Sequence, residues 1–298
     1  MLTILPIGEQ QLMFNLAPLY FPITANPAQT SEYLPNQALQ PYIRCFWGSV
    51  APRIRTDVSV PLMDKISCYE PRNETIIPDT CMDIIWDLDE STGITTSVFS
   101  GINDAPFEVP SDRGEGLISR FGIRFHFWAV HFFADDHLRD VLNAFVDVDH
   151  YFSTFKSELG LLLEQANSMD ERIAVAEAYL FQRLDRGGRT NDRMMNAVYT
   201  LIKQKGVVTA EDLEASSNLS RRQLERLFQE YIGVSPKKTA DLVRFQNVWR
   251  EMYHQPVQTK NMQDLIFSYG FSHQPHFINS FKKYAGRTPL EALVYAGR

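Results

Sequence analysis

Cysteine is scarce in this chain and has no pattern. Cys45, Cys68 and Cys81 form no C-x-x-C pair and are odd in number, so neither a disulfide framework nor a zinc ribbon is indicated, and a reducing compartment fits. Long apolar runs are missing too. No stretch approaches the ~20 residues of a membrane span, and the opening MLTILPIGEQ lacks the basic region and long apolar core of a secretory leader. A cytoplasmic protein without a membrane partner is expected. Positive charge is in deficit, with 29 Lys and Arg against 36 Asp and Glu in 298 residues, which argues against nucleic-acid binding along the whole length. There is no G-x-S-x-G elbow, Walker glycine loop or dinucleotide fingerprint, so nothing points to an enzyme or a cofactor.

The deficit is uneven. From Thr190 to Arg298 there are 15 basic and 10 acidic side chains, and the remainder has 14 and 26. Only the second part has the charge of a phosphate-backbone binder. Within it, Thr209 to Gly233 reads as two short helices joined by a tight turn. Leu213 and Ala215 are apolar positions of the first helix. Ser220 is the expected N-cap of the second, and Leu224, Leu227 and Phe228 form an apolar stripe. The opposite face carries Arg221, Arg222, Glu225 and Arg226. A helix of this kind fits the major groove, where arginine bonds guanine bidentately; a solvated charged face has the same composition.

Recurrence separates these readings. Gly270-Phe271-Ser272 repeats Asn218-Leu219-Ser220, Phe277 and Phe281 repeat Leu224 and Phe228, and Gly286-Arg287-Thr288-Pro289 repeats Gly233-Val234-Ser235-Pro236. In each copy Gly ends one helix, Ser or Thr caps the next, and Pro takes its first turn. The offset is 52 residues at the turn and 53 afterwards.

These residues resemble the AraC family of transcription regulators. The resemblance covers Arg193 to Val294 and rests on Ser220-Arg-Arg-Gln-Leu-Glu-Arg-Leu-Phe228, Gly233-x-Ser-Pro236, Gly270-Phe-Ser-His-Gln-Pro-His-Phe277 and Gly286-Arg-Thr-Pro289. It implies an all-α DNA-binding domain with two helix-turn-helix units on seven helices, double-stranded DNA and RNA polymerase as partners, and an activator role. The chain departs from the usual pattern at Glu214, Asn218, His273 and Asn279. The expected DNA-binding domain is residues 186–298: a first unit at about 193–235, a linking helix at about 236–254 and a second unit at about 261–296. The residues assigned to base reading are Arg222, Glu225, Arg226, Gln274, Pro275, His276 and Asn279, and those assigned to the DNA backbone are Ser220, Arg221, Lys282 and Lys283. Glu225 suits cytosine N4 or braces an arginine, and both readings stay open.

Residues 1–185 are read as a small β-barrel or sandwich, with strands at about 40–130, followed by helices at about 136–184, making the whole chain an α+β multidomain protein. Tyr42–Trp47, Met82–Leu88, Thr96–Ser100 and Leu117–Trp128 have strand composition. In the last, Phe121, Ile123, Phe125 and Phe127 alternate with Arg120, Gly122, Arg124 and His126, which places one apolar and one basic face. Asp136–Phe145, Phe155–Gln165 and Glu171–Leu184 have helical spacing, and Asp185-Arg-Gly-Gly-Arg-Thr190 reads as the linker. No job is assigned to residues 1–35. Leu39–Trp47 and Ile77–Ile85 look like an N-terminal domain of one subgroup of the family, and the resemblance implies a sensory domain and a dimerisation region. The candidate effector pocket is Trp47, Trp86, Trp128, Arg120, Arg124 and His126. The tryptophans line a small-molecule site or are core; the basic side chains bind an anion or pair with acids. His126, His131, His137 and His150 have no metal-ligand spacing along one strand face. The alternatives to a small-molecule sensor are a homodimer or protein-contact domain and an enzyme domain fused to the DNA reader.

Overall fold

The computed structural model describes residues 4–7, 11–29, 32–51, 73–110, 117–186, 190–254 and 259–298. The strands are β1 (Ile4–Ile7), β2 (Gln11–Phe14), β3 (Glu32–Tyr33), β4 (Ile43–Ser49), β5 (Asn73–Ile76), β6 (Met82–Asp89), β7 (Thr95–Ser100), β8 (Phe107–Pro110), β9 (Ile118–Phe125) and β10 (Phe145–Asp147). Six form one antiparallel sheet in the order β10-β7-β6-β9-β4-β3, while β1 pairs with β2 and β5 with β8.

Directly opposed residues share a sheet face, and the register shows what each face is for. Phe46, Ile123, Ile84 and Phe99 lie in one row across four strands, and Phe121 opposes Trp86 in the next. All six are at most 1% exposed, so this face carries the core. On the other face, Cys45, Arg124 and Asp83 form one row, Trp47, Gly122 and Ile85 the next, and Ser49, Arg120 and Asp87 a third. The Trp47 ring lies directly over Gly122, where a Cβ would sit 2.1 Å from it.

The segment 136–145 is not a helix. Asp140 and Asn143 have φ of 64° and 58°, and two backbone amides bond outside the segment: Leu138 N–H donates to the Glu230 carbonyl and Asn143 N–H to that of Ile102. Leu138 and Val141 are buried by tertiary contact, which mimics helical spacing in the sequence. After β10 a π-helical turn, Phe155–Gly160, leads into α1 (Leu161–Gln165) and α2 (Met169–Asp185). α2 buries Arg172 completely, its guanidinium 4.9 Å from the Trp86 ring. Of the linker stretch, residues 187–189 lie outside the described residues.

Seven helices follow: α3 (Asp192–Lys203), α4 (Ala210–Ser217), α5 (Arg221–Tyr231), α6 (Pro236–His254), α7 (Thr259–Ser268), α8 (Gln274–Ala285) and α9 (Pro289–Tyr295). Their starts follow from local chemistry. Thr209 with Asp212, Ser220 with Gln223 and Thr288 with Glu291 each form a capping box, which satisfies two otherwise unpaired backbone donors. α3 buries Met194, Ala197, Val198, Leu201 and Ile202. α6 is buried around most of its circumference, and it includes Gln246 and Asn247 among its buried residues.

Candidate nucleic-acid interface

The two turns have the same backbone conformation despite different residues. Asn218 ends α4 at φ 55° and Gly270 precedes α8 at φ 69°, both left-handed, which asparagine tolerates better than most residues. Each turn delivers a helix whose apolar stripe faces inward. Leu224, Leu227 and Phe228 are buried on α5, and Phe277 and Phe281 on α8. Opposite them, Ser220, Arg221, Arg222 and Arg226 of the first unit are exposed, as are Gln274, Pro275, His276, Asn279, Lys282 and Lys283 of the second; Glu225 is half-buried. The residues assigned to DNA thus share two solvent-facing helix surfaces.

Their partners differ. Among the described residues no carboxylate pairs with Arg222, whereas Arg226 Nη1 lies 2.9 Å from Glu230 Oε2 one turn on. The residue bracing an arginine here is Glu230, which the sequence reading passed over. In the second unit, His273 caps α8, its Nδ1 accepting from His276 N–H at 3.1 Å, and His276 Nδ1 lies 3.2 Å from Ser272 Oγ. His276 is therefore tied to its own turn.

The two reading units are held by the β-rich part at several points. Gln246 of α6 is 1% exposed, and its amide spans two separate segments: Oε1 accepts from Ile23 N–H at 2.9 Å, and Nε2 donates to the Pro78 carbonyl at 2.6 Å. Trp249 Nε1–H donates to the Thr24 carbonyl at 2.9 Å. Residues near position 24, which had no assigned job, thus dock on the linking helix. Lys238 lies 2.5 Å from Asp104, which also accepts from Asn143 Nδ2 at 2.9 Å; these two hydrogen bonds, Lys238 first, hold the Asp104 carboxyl below its usual range. Gly233, at φ 79°, abuts the same loop so closely that a Cβ would lie 2.0 Å from the Leu138 carbonyl oxygen. The equivalent glycine of the second unit, Gly286, packs on Pro106. Arg287 donates to Thr75 Oγ1 at 3.0 Å. The loops around residues 104–106 and 138–143 therefore meet both units at corresponding turns. None of these pairs was visible in the sequence, although a glutamine between the apolar positions of α6 was a usable signal.

The six candidate effector-pocket residues are not brought together. Trp47, Arg120 and Arg124 share the polar sheet face. Trp86 lies on the opposite, core face, and Trp128 is fully buried with its indole N–H on the Pro41 carbonyl. His126 lies beyond the end of β9, stacked on Trp128 at 4.3 Å. Burial pushes its pKa down to about 3, assisted by Arg44. These three are core residues. The arginines of the polar face are committed to carboxylates: Arg120 forms a two-pronged pair with Asp87 at 2.7 and 2.8 Å, and Arg124 Nε lies 2.9 Å from Asp83, which also accepts from Trp47 Nε1. Pairing with acids, and not a basic anion cradle, describes this face. Among the described residues no group of three His, Cys, Asp or Glu is placed to hold a metal ion, and no helix is long and apolar enough to cross a membrane.

Two family models match the chain, a helix-turn-helix domain over residues 213–293 and a domain of unknown function (DUF6597) over residues 31–147. The HTH-type transcriptional regulator ArgR of Pseudomonas aeruginosa is 27% identical over 145 residues, which span 44% of this chain and 43% of that protein. The chain thus matches less than half the length of this curated relative. Among solved structures, a probable AraC family transcriptional regulator from Rhodopseudomonas palustris is 26% identical, covering 36% of this chain and 98% of that one with a TM-score of 0.30. ToxT from Vibrio cholerae is 12% identical, covering 76% and 96% with a TM-score of 0.39. The family model over residues 213–293 and the two helix-turn-helix units carried by the seven helices make the C-terminal part a helix-turn-helix domain, similar to those of AraC family transcription regulators.

Proposed function

We propose that this protein is a sequence-specific transcription regulator in which one chain reads two successive major-groove segments. The observation that carries this reading is the repeated unit, in which α5 and α8 each turn a buried apolar stripe inward and an exposed polar face outward. α6 has 19 residues, a rod of ~28 Å at ~1.5 Å per residue. That is close to the ~34 Å repeat of the duplex, so the two reading helices suit one face of DNA. Arg222 suits guanine, Gln274 and Asn279 suit adenine, and Lys282 and Lys283 suit phosphates. The resemblance of its C-terminal part to AraC family regulators favours an activator that engages RNA polymerase.

The β-rich part is the source of control in this reading, because its contacts reach α6 and the turns of both units. A small-molecule signal acting on the polar face around Trp47, Arg124 and Asp83 would be transmitted within a few residues to Pro78 and so to Gln246. The charge balance of that face favours an uncharged or cationic molecule over an anion. Self-association is a second reading, favoured by exposed Ile94, Phe145 and Leu161 at 63%, 67% and 54%.

Selection of binding sites from a random DNA pool with the full chain, followed by titration over a salt series, tests the proposal. Base reading leaves a preference for the selected site that persists as phosphate attraction is screened. Affinity that is uniform across sequences and disappears with salt contradicts it.

A further inference from the structure

We infer that Arg139, in the β-rich part, is a positioning residue for DNA reading: it competes with Arg226 for the Glu230 carboxylate and so keeps Arg226 available to DNA. The inference rests on the proposed reading that α5 faces DNA. Glu230 is the anchor, its side chain 12% exposed, whereas Arg139 and Arg226 are 62% and 59% exposed. Its Oε1 lies 3.2 Å from Arg139 Nη2 and 3.1 Å from Arg226 Nη1, and Oε2 lies 2.9 Å from Arg226 Nη1. One carboxylate neutralises one guanidinium. With both present the cluster keeps a net positive charge, and a guanine edge or phosphate draws Arg226 away from a partner that Arg139 still satisfies. With Arg139 gone, Glu230 holds Arg226 alone, and DNA must leave a partly buried carboxylate unpaired to recruit it.

The Arg139 contact is built into the fold. Its carbonyl accepts from the Tyr151 hydroxyl at 2.7 Å, and the preceding amide, Leu138 N–H, donates to the Glu230 carbonyl at 3.0 Å. Leu138 is buried, and Asp140 is left-handed at φ 64°. The segment therefore presents Arg139 to the last turn of α5 with its backbone fixed on both sides. Any signal that lifts this segment from α5 returns Glu230 to Arg226, so docking of the β-rich part makes the first reading helix competent.

The test is a set of full-chain variants, Arg139→Ala, Arg139→Lys, Glu230→Gln, Arg226→Ala and the pairwise combinations with Arg139→Ala, titrated on a site selected by the wild-type chain. Circular dichroism confirms folding of each. The expected results are a loss of about threefold for Arg139→Ala, the scale of an exposed ion pair, recovery in Arg139→Lys, and no further loss when Arg139→Ala is added to Glu230→Gln or Arg226→Ala. Removing a positive charge near DNA acts in every background, so this pattern separates positioning from simple attraction. Equal losses in all backgrounds, or unchanged binding by Arg139→Ala where Arg226→Ala binds more weakly, overturn the inference while leaving the DNA-reading proposal intact. Unchanged binding by Arg226→Ala removes Arg226 from the readers and overturns the inference, whereas a wild-type chain that selects no preferred site overturns the DNA-reading proposal.

Discussion

Replacing Gln246 by leucine tests how the β-rich part grips the DNA reader. Leucine has nearly the same volume, so packing of α6 is preserved while two buried bonds, 2.9 Å from Ile23 N–H and 2.6 Å to the Pro78 carbonyl, are lost. Each stranded backbone group costs ~1–3 kcal/mol when it stays buried, so the docked state is weakened by roughly 2–6 kcal/mol. The loss has a ceiling. Once it exceeds the docking free energy, the two parts separate and water satisfies both groups. The assay is amide hydrogen exchange of the full chain, read at the 20–25 and 77–81 segments and over α6. Faster exchange confined to those segments, with the cores of α5 and α8 still protected, is the expected result. Unchanged exchange at Ile23 refutes the reasoning, because an amide whose buried partner was removed must open more often. Loss of protection throughout would show that Gln246 supports folding generally and is not an inter-part clamp.

Arg222→Ala is expected to weaken binding to a selected site by ~1–3 kcal/mol, the scale of a bidentate guanine contact, and Asn279→Ala by less; equal losses in titrations contradict this ranking. Gly233→Ala should lower the melting temperature, since alanine must adopt φ 79° with its Cβ 2.0 Å from the Leu138 oxygen; an unchanged melt means that the loop yields freely. His126 supplies a pH test. Its folded pKa, about 3, is below the ordinary ~6.5, so the unfolded chain takes up a proton as pH falls through 6.5 while the folded chain does not. Stability from this group is present above that value and is lost on acidification, by about 2 kcal/mol between pH 7 and 5. Denaturant unfolding at both pH values should show this loss in the wild type and not in His126→Gln. Equal pH dependence of the two proteins would show that His126 takes up a proton in the folded state.

The helical half was legible because its signals are local. Ser220, Thr288 and the left-handed Asn218 act within four residues of where they stand, and the stripes on α5 and α8 repeat at helical spacing. In the β-rich half, β4, β6, β7 and β9 were readable from composition, whereas β5 and β8 are four-residue strands whose pairing depends on distant chain. The segment 136–145 misled for a related reason: Leu138 and Val141 are buried against other elements, not along a helix. The site separates in the same way. Exposure of Arg222 and Asn279 follows from helix periodicity, but the Arg139, Glu230 and Arg226 cluster and the Gln246 clamp join residues far apart in sequence. The candidate pocket failed at Trp86, Trp128 and His126, because residue type does not reveal which sheet face, or which side of a strand end, a ring occupies.

Hydroxyl-radical footprinting of the full chain on its selected site, at a concentration where one molecule is bound per duplex, tests the central claim most directly. Two protected blocks about one helical turn apart on one face of the DNA, with Arg222→Ala weakening protection of one block and Asn279→Ala the other, is the predicted result. A single block, or two blocks that appear only when a second molecule binds, would contradict the reading of two groove segments by one chain.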